Sequence, residues 1–262
     1  MKIYMRTIKA IAPQMSASGA ATAADIVRPL VTVDVVIFTL IDEALNVLLM
    51  QRPSQSGEPF PGQWALPGGF VDVAHDDDLR ACALRKLQEK TAVSSPYLEQ
   101  LGSWGGRYRD PRGWSATHAY FALLPQKQLK LNKGANAVDV RWFPVPGNGV
   151  VQASEGLAFD HDNILATAIE RLRSKVEYTS LPAFLLDEPF TLPQLQRAYE
   201  IVLGRSVDKS AFRTRTLAAP EFLEIVGIQE SRSPRAPMGY RMKHRDQPVT
   251  FPRTFQPRMG SA

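Results

Sequence analysis

Between Thr32 and Arg52, two apolar runs rich in Val, Ile and Leu flank the acidic stretch Ile41–Ala44, a pattern that predicts two strands joined by a turn. A Gly/Pro-rich segment over Gly57–Phe70 then leads into a helical stretch from about Asp77 to Thr91. Further strands are expected at Tyr97–Arg107, Ser115–Leu124 and Val138–Phe143. A second helix, from about Asp160 to Ser174, places Leu165, Ala168, Ile169 and Leu172 on one face. These elements predict a mixed α/β domain over residues 26–176, its sheet sandwiched by helices.

Beyond Tyr178 the pattern changes. Thr191 stands three residues ahead of Gln194, the spacing of a capping box, and Phe190 and Leu195 are placed as a hydrophobic staple. Leu195, Ala198, Tyr199 and Val202 recur at helical spacing, and Gly204 is a natural stop. A shorter helix follows with Asp208 as N-cap and Pro220 beyond its end. Strand-like segments at Phe222–Ile228 and Tyr240–Arg245 come next, across a loop rich in Ser, Pro and Arg. Helix, short loop, basic helix, strand, loop, strand is the order of a winged helix-turn-helix. No internal repeat is visible.

Composition narrows the class. Hydrophobic residues make up 44% of the 262, enough for packed cores. No apolar run reaches the roughly 18 residues that suggest a membrane helix, and the N-terminal segment lacks the apolar stretch of a signal peptide. A single cysteine, Cys82, excludes an intrachain disulfide and reads as small core filler. A cytoplasmic protein is expected. The net charge of +5 is unevenly spread: residues 205–262 carry 11 Lys/Arg against 5 Asp/Glu, residues 1–204 carry 20 against 21. Such asymmetry fits a terminal nucleic-acid-binding module, and on charge alone it fits a solvated basic tail equally well.

The segment from Gly62 to Val93 carries the most chemistry. It resembles the Nudix box, G-x5-E-x7-R-E-U-x-E-E-x-G-U with U aliphatic. Gly69 stands as the leading glycine, Arg85 as the arginine, and Leu87 and Val93 fill aliphatic positions. Asp77, seven residues intervening before Arg85, takes the place of the first glutamate, after a loop two residues longer than the pattern. In Nudix hydrolases, glutamates on one helix face hold a divalent cation against a pyrophosphate, because a hard cation takes several carboxylate oxygens. Here those positions read Lys86, Glu89 and Lys90. Two ammonium groups would repel a cation, so no metal site and no catalytic residue are expected. The two lysines can be a solvated helix face, or counter-charges to a diphosphate that is bound without being cleaved.

With the stretches Ala83–Val93, Pro96–Gly105, Arg109–Leu123, Leu157–His161 and Glu188–Gln196, and the winged helix after them, the chain is similar to the Nudix-related transcriptional regulators of NAD metabolism (NrtR) from about Val31 to His244. The resemblance implies a homodimeric repressor of NAD-synthesis or salvage genes that requires no cofactor. ADP-ribose or a related nucleotide would be the effector and would release the DNA. Carried over by position, effector contacts are Arg52, the turn Gly68-Gly69-Phe70, Arg109, Arg112 and Trp114, with Lys86 added on charge. Trp114 can stack on a base or be a core or interface residue, and Arg112 can bind phosphate or pair with Asp110 across its turn. His161, in the first turn of its helix, reads as a capping or packing residue.

On the shorter basic helix, Phe212 anchors to its own core while Lys209, Arg213, Thr214 and Arg215 are candidates for the major groove of double-stranded DNA. Arg232, Arg235, Arg241, Lys243 and Arg245 cluster on and after the wing, placed for phosphates or the minor groove. Two-fold symmetry would match a palindromic operator. The expected organisation is a disordered arm over 1–25, an effector-binding domain over 26–176, a winged-helix DNA-binding domain over 177–245 and a flexible tail over 246–262. Two competing classes are a Nudix-type ADP-ribose pyrophosphatase with an accessory domain, and a catalytically silent interaction protein.

Overall fold

The structure, a computed structural model, describes residues 28–55, 57–93, 97–132, 137–153, 156–228, 237–252 and 254–255. The expected N-terminal arm therefore lies outside the described residues.

Strand β1 (Leu30–Ile41) pairs antiparallel with β2 (Ala44–Gln51) through a two-residue turn. Asp42 and Glu43 both take positive φ, 48° and 59°, the mirror-image turn whose twist suits a tight hairpin. Short strands β3 (Trp64–Ala65) and β4 (Gly68–Phe70) pair with β2 and β1, and helix α1 follows over Leu79–Thr91. Strands β5 (Tyr97–Gly106), β6 (Ser115–Leu123) and β7 (Asp139–Pro144) complete a seven-stranded mixed sheet in which β1 and β6 run parallel. Helix α2 spans His161–Val176.

Alternation along β1 assigns the two faces of the sheet. Val33, Val35 and Ile37 pack with Cys82, Ala83 and Leu87 of α1, while Val36 and Phe38 pack with Leu165, Ala168 and Leu172 of α2. The sheet is thus sandwiched by helices, as the pattern predicts. Helix α1 begins later than Asp77 because the Asp78 side chain accepts from the Ala81 N–H at 2.7 Å and so takes the N-cap.

The winged helix consists of α3 (Leu192–Leu203), α4 (Lys209–Leu217), β8 (Leu223–Ile228) and β9 (Met238–Met242). The Thr191–Gln194 capping box forms in both directions, and Gly204 ends α3 at φ 69°. Phe190 also meets Tyr240 of β9 through two backbone hydrogen bonds. A single apolar cluster runs from the α2 side of the sheet, through the buried 3-10 turn Leu181–Leu185, into Leu195, Tyr199, Phe212 and Phe222.

The C-terminal segment departs from the expected flexible tail. Thr250 forms a bridge with Thr179, the Phe251 N–H donates to the Tyr178 carbonyl at 2.7 Å, and Phe251 is 3% exposed. The Pro-rich sequence has no periodicity to announce this, but two phenylalanines have apolar surface to bury.

Candidate functional site

A pocket of about 700 Å³ opens where β1, β4, α1 and the start of α2 converge. It gathers Arg52, Gly68, Gly69, Phe70, Lys86, Arg109 and Arg112 from four separate stretches of sequence. Gly68 is obligatory: a Cβ there would stand 2.0 Å from Asp34 Oδ1 and 2.6 Å from the Val33 carbonyl oxygen. Gly69 lies at φ 148°, which glycine alone adopts comfortably, and brings the backbone beside Lys86.

Most of the cations around the pocket are held by carboxylates. Arg109 forks onto Asp160 at 2.8 and 3.0 Å and also reaches Ser115 Oγ. This bidentate pair takes Asp160 away from capping α2, whose N-cap has no side-chain hydrogen bond. Arg112 forks onto Asp110 at 2.7 and 3.0 Å, so the turn pairing weighed for it is formed, while its guanidinium also lies 5.1 Å over the Phe70 ring. Burial works to raise the Asp110 carboxyl, but Arg112 outweighs it and holds the group below the usual carboxylate range. Arg52 donates to Glu58 and to the Pro59 carbonyl and sits 4.9 Å over the Phe159 ring. Lys86 is held most loosely, its ammonium 4.0 Å from Glu89 while it lines the pocket beside Gly69.

At the pocket floor sequence reasoning missed a polar network. Asp34, inside the apolar run of β1, is buried and accepts from Thr117 Oγ1 at 2.7 Å. His161 Nδ1 accepts from the Leu66 N–H at 3.0 Å, which leaves Nε2 as the nitrogen facing Asp34 at 3.5 Å. Burial pushes the Asp34 carboxyl up, and His161 with Thr117 more than offset this and lower it. The packing role expected of His161 is thus joined by a place in the pocket wall. An aspartate among the valines of β1 was the signal available.

Three other expectations are corrected. Trp114 is not among the residues that line the pocket; its side chain is half exposed and lies against Gly105 of β5. The rings that do line the pocket are Phe70 and Phe159. Lys90 is neither a solvated face nor a pocket counter-charge, since its position one turn beyond Lys86 carries it into a buried site where desolvation lowers its pKa. Asp77, chosen by spacing, is exposed ahead of α1, and the partner of the box arginine is Asp76, bound by Arg85 at 2.6 and 2.7 Å. That pair holds the Asp76 carboxyl well below its ordinary value. The run Asp76-Asp77-Asp78 made the three indistinguishable by sequence.

A divalent cation, which the Nudix box implies, does not fit these donors. Glu89, the one carboxylate left on the box helix, is engaged by Arg85 at 3.0 Å, and Lys86 stands beside it. Among the described residues no group of three or more His, Cys, Asp or Glu is arranged to hold a metal.

In the winged helix, Lys209, Arg213 and Thr214 are exposed on α4, whose N-cap is Asp208. Arg215, expected among the DNA contacts, is turned inward. Its Nη1 donates to the Glu177 carbonyl at 2.7 Å and its guanidinium packs on Phe251 and Phe255, because position 215 shares the inner face of α4 with Phe212. Arg241 pairs across the wing with Glu224, Arg245 pairs with Glu188 at 3.2 Å, and Lys243 is exposed. Arg232 and Arg235 lie outside the described residues.

Fold and pocket together define a Nudix-type small-molecule-binding domain that carries a winged helix. The NUDIX domain model matches residues 30–166, and the NrtR DNA-binding winged helix domain model matches residues 182–242. The chain is 41% identical, over 88% of its length and 89% of the relative's, to the "ADPR responsive transcriptional repressor NtrR" of Acinetobacter baylyi. It is similar to crystal structures of Shewanella oneidensis NrtR, alone and complexed with a 27mer DNA. Each shows a TM-score of 0.74 and 40% identity over 86% of this chain and 99% of that one. The NUDIX domain of the same Shewanella protein, complexed with ADP ribose, matches with a TM-score of 0.50 and 43% identity over 58% of this chain and 94% of that one. The chain belongs to the NrtR family of Nudix-related transcriptional regulators.

Proposed function

We propose that this protein is a transcriptional repressor of NAD-synthesis or salvage genes, acting as a cytoplasmic homodimer on a palindromic operator and released from DNA by ADP-ribose. The observation that carries the reading is Lys86, a loosely held ammonium facing the pocket beside Gly69 where a hydrolase would place a metal-binding carboxylate. An ammonium there stabilises a bound diphosphate and repels the cation that its cleavage would need. In this reading the phosphates meet Lys86 and the arginines Arg52, Arg109 and Arg112, and the base lies against Phe70 or Phe159. Lys209, Arg213, Thr214 and Lys243 face the DNA. The repressor described from Acinetobacter and the Shewanella complexes with DNA and with ADP ribose support both halves.

Release follows if ADP-ribose binds more tightly to the arrangement of the two DNA-reading modules that does not fit the operator. The pyrophosphatase alternative is tested by incubating the protein with ADP-ribose and Mg²⁺ or Mn²⁺ and following AMP. No release above background, with binding demonstrated by calorimetry, is the expected result. Turnover comparable to that of a Nudix hydrolase would overturn the reading.

A further inference from the structure

The recognition helix α4 carries one arginine that the protein keeps for itself. The Arg215 guanidinium lies 3.2 Å from the ring centre of Phe255, 4.4 Å from Phe251 and 5.7 Å from Tyr199, and donates to the carbonyl of Glu177 at the end of α2. Taking a guanidinium out of water is costly, and aromatic faces with a carbonyl acceptor are the groups that offset it. Two of the three rings come from the C-terminal segment, beyond residue 242 where the winged-helix model ends.

That segment is fastened at both ends of the contact. At the stretch just after α2, the Ser180 N–H donates to the Val249 carbonyl, the Val249 N–H to Ser180 Oγ and the Phe251 N–H to the Tyr178 carbonyl, at 2.9, 2.8 and 2.7 Å. Toward the DNA-reading side, Phe255 stacks on Phe212 of α4 at 6.1 Å, and Phe251 meets Phe222 at the base of the wing at 5.6 Å. Arg215 is the residue on which these contacts converge.

We propose that the C-terminal segment carrying Phe251 and Phe255 clamps Arg215 and thereby fixes the pose of α4 relative to the end of α2, making it a positioning element for sequence-selective DNA binding. The inference rests on the DNA-binding reading above. Base-edge contacts are sensitive to the pose of the helix, whereas phosphate contacts made by flexible lysines and arginines are far less so. Loosening the clamp therefore costs selectivity first. It leaves the pocket, whose lining includes neither α4 nor the C-terminal segment, able to bind its nucleotide.

The test compares the full-length protein with Phe255→Ala, Arg215→Met, the double variant and Phe255→Tyr, which keeps an aromatic face. Fluorescence anisotropy on an operator fragment and on a scrambled duplex, at several salt concentrations, reads selectivity, and calorimetry reads ADP-ribose binding. Each single variant should weaken operator binding about tenfold, as expected for loss of a desolvated cation–π contact, with scrambled-duplex binding unchanged. The double variant should be no worse than either single one, and Phe255→Tyr should bind like the wild type. A drop of about one in the salt slope for Arg215→Met, with Phe255→Ala unaffected, would mean that Arg215 meets a phosphate and would overturn the proposal. Were the wild type itself unselective, the DNA reading would fail, and amide hydrogen exchange would still judge the clamp. Phe255→Ala should deprotect Lys209–Leu217 while α3 and α1 stay protected. Unchanged protection of α4, or loss spreading through α3, would sink it.

Discussion

Lys86 and Lys90 show how far a single turn of helix separates two side chains of the same kind. One lines the pocket and the other is buried, so substitution should affect different properties. Lys86→Ala is expected to weaken ADP-ribose binding by roughly ten- to a hundredfold, in line with roughly 1.5–3 kcal/mol for a hydrogen bond to a charged group, with little change in melting temperature. Calorimetry on the variant checks this, and unchanged affinity would remove Lys86 from the site. The carboxylates define an acid limit. Asp76 is lowered by its hydrogen bonds to Arg85, and Asp34 and Asp110, though burial opposes it, are lowered by their own partners. Each group therefore binds its proton less tightly folded than unfolded. The stability they confer is fully present above the unfolded carboxylate pKa of about 4 and is lost as pH falls through the lower folded values. Thermal melts should be flat from neutral pH to about 4.5 and fall below it, and Asp76→Asn should make that fall shallower.

The capping box of α3 and the exposed face of α4 are separable determinants of the winged helix. Thr191→Ala removes the acceptor for the Gln194 N–H and should cost about 1 kcal/mol of stability, read by denaturant unfolding, without altering the DNA sequence preferred. Arg213→Ala should leave stability unchanged and weaken operator binding by about 1–3 kcal/mol if the side chain reads a base. Elements such as these were legible because their signals are local: caps, helical spacing and the apolar runs of β1 and β2. The two- and three-residue strands β3 and β4 were not, since only pairing with β2 and β1 makes them strands. Within the pocket, Arg52, Arg109 and Arg112 could be named, and Asp110 as the turn partner of Arg112, but Glu58, Asp76 and Asp160 could not, because the folding of the loops decides which carboxylate Arg52, Arg85 and Arg109 each meet. The inward turn of Arg215 was half legible, because it stands three residues after Phe212, the expected core anchor. What it would touch was not, because Phe251 and Phe255 belong to a segment without periodicity.

Across the whole molecule, one apolar cluster joins the α2 side of the sheet to the core of the winged helix. Arg197 of α3 also pairs with Glu43 in the β1–β2 turn, and Arg173 of α2 donates to the Val202 carbonyl of α3 at 3.2 Å. A junction packed in this way transmits movement as a unit, so in the proposed homodimer the response to ADP-ribose would lie in the relative orientation of the two subunits, each moving with its own winged helix. The coupling must also be reciprocal: operator DNA should weaken ADP-ribose binding by the same factor by which ADP-ribose weakens operator binding. The most direct measurement is fluorescence anisotropy of operator DNA, from upstream of this gene or of NAD-synthesis genes, titrated with the protein with and without ADP-ribose at fixed salt. Sequence-selective binding that ADP-ribose weakens by roughly 5–150-fold, the usual range of coupling between sites, is expected. Binding no tighter than to a scrambled duplex, or selective binding that saturating ADP-ribose leaves untouched, would overturn the reading of this protein as a repressor released by ADP-ribose.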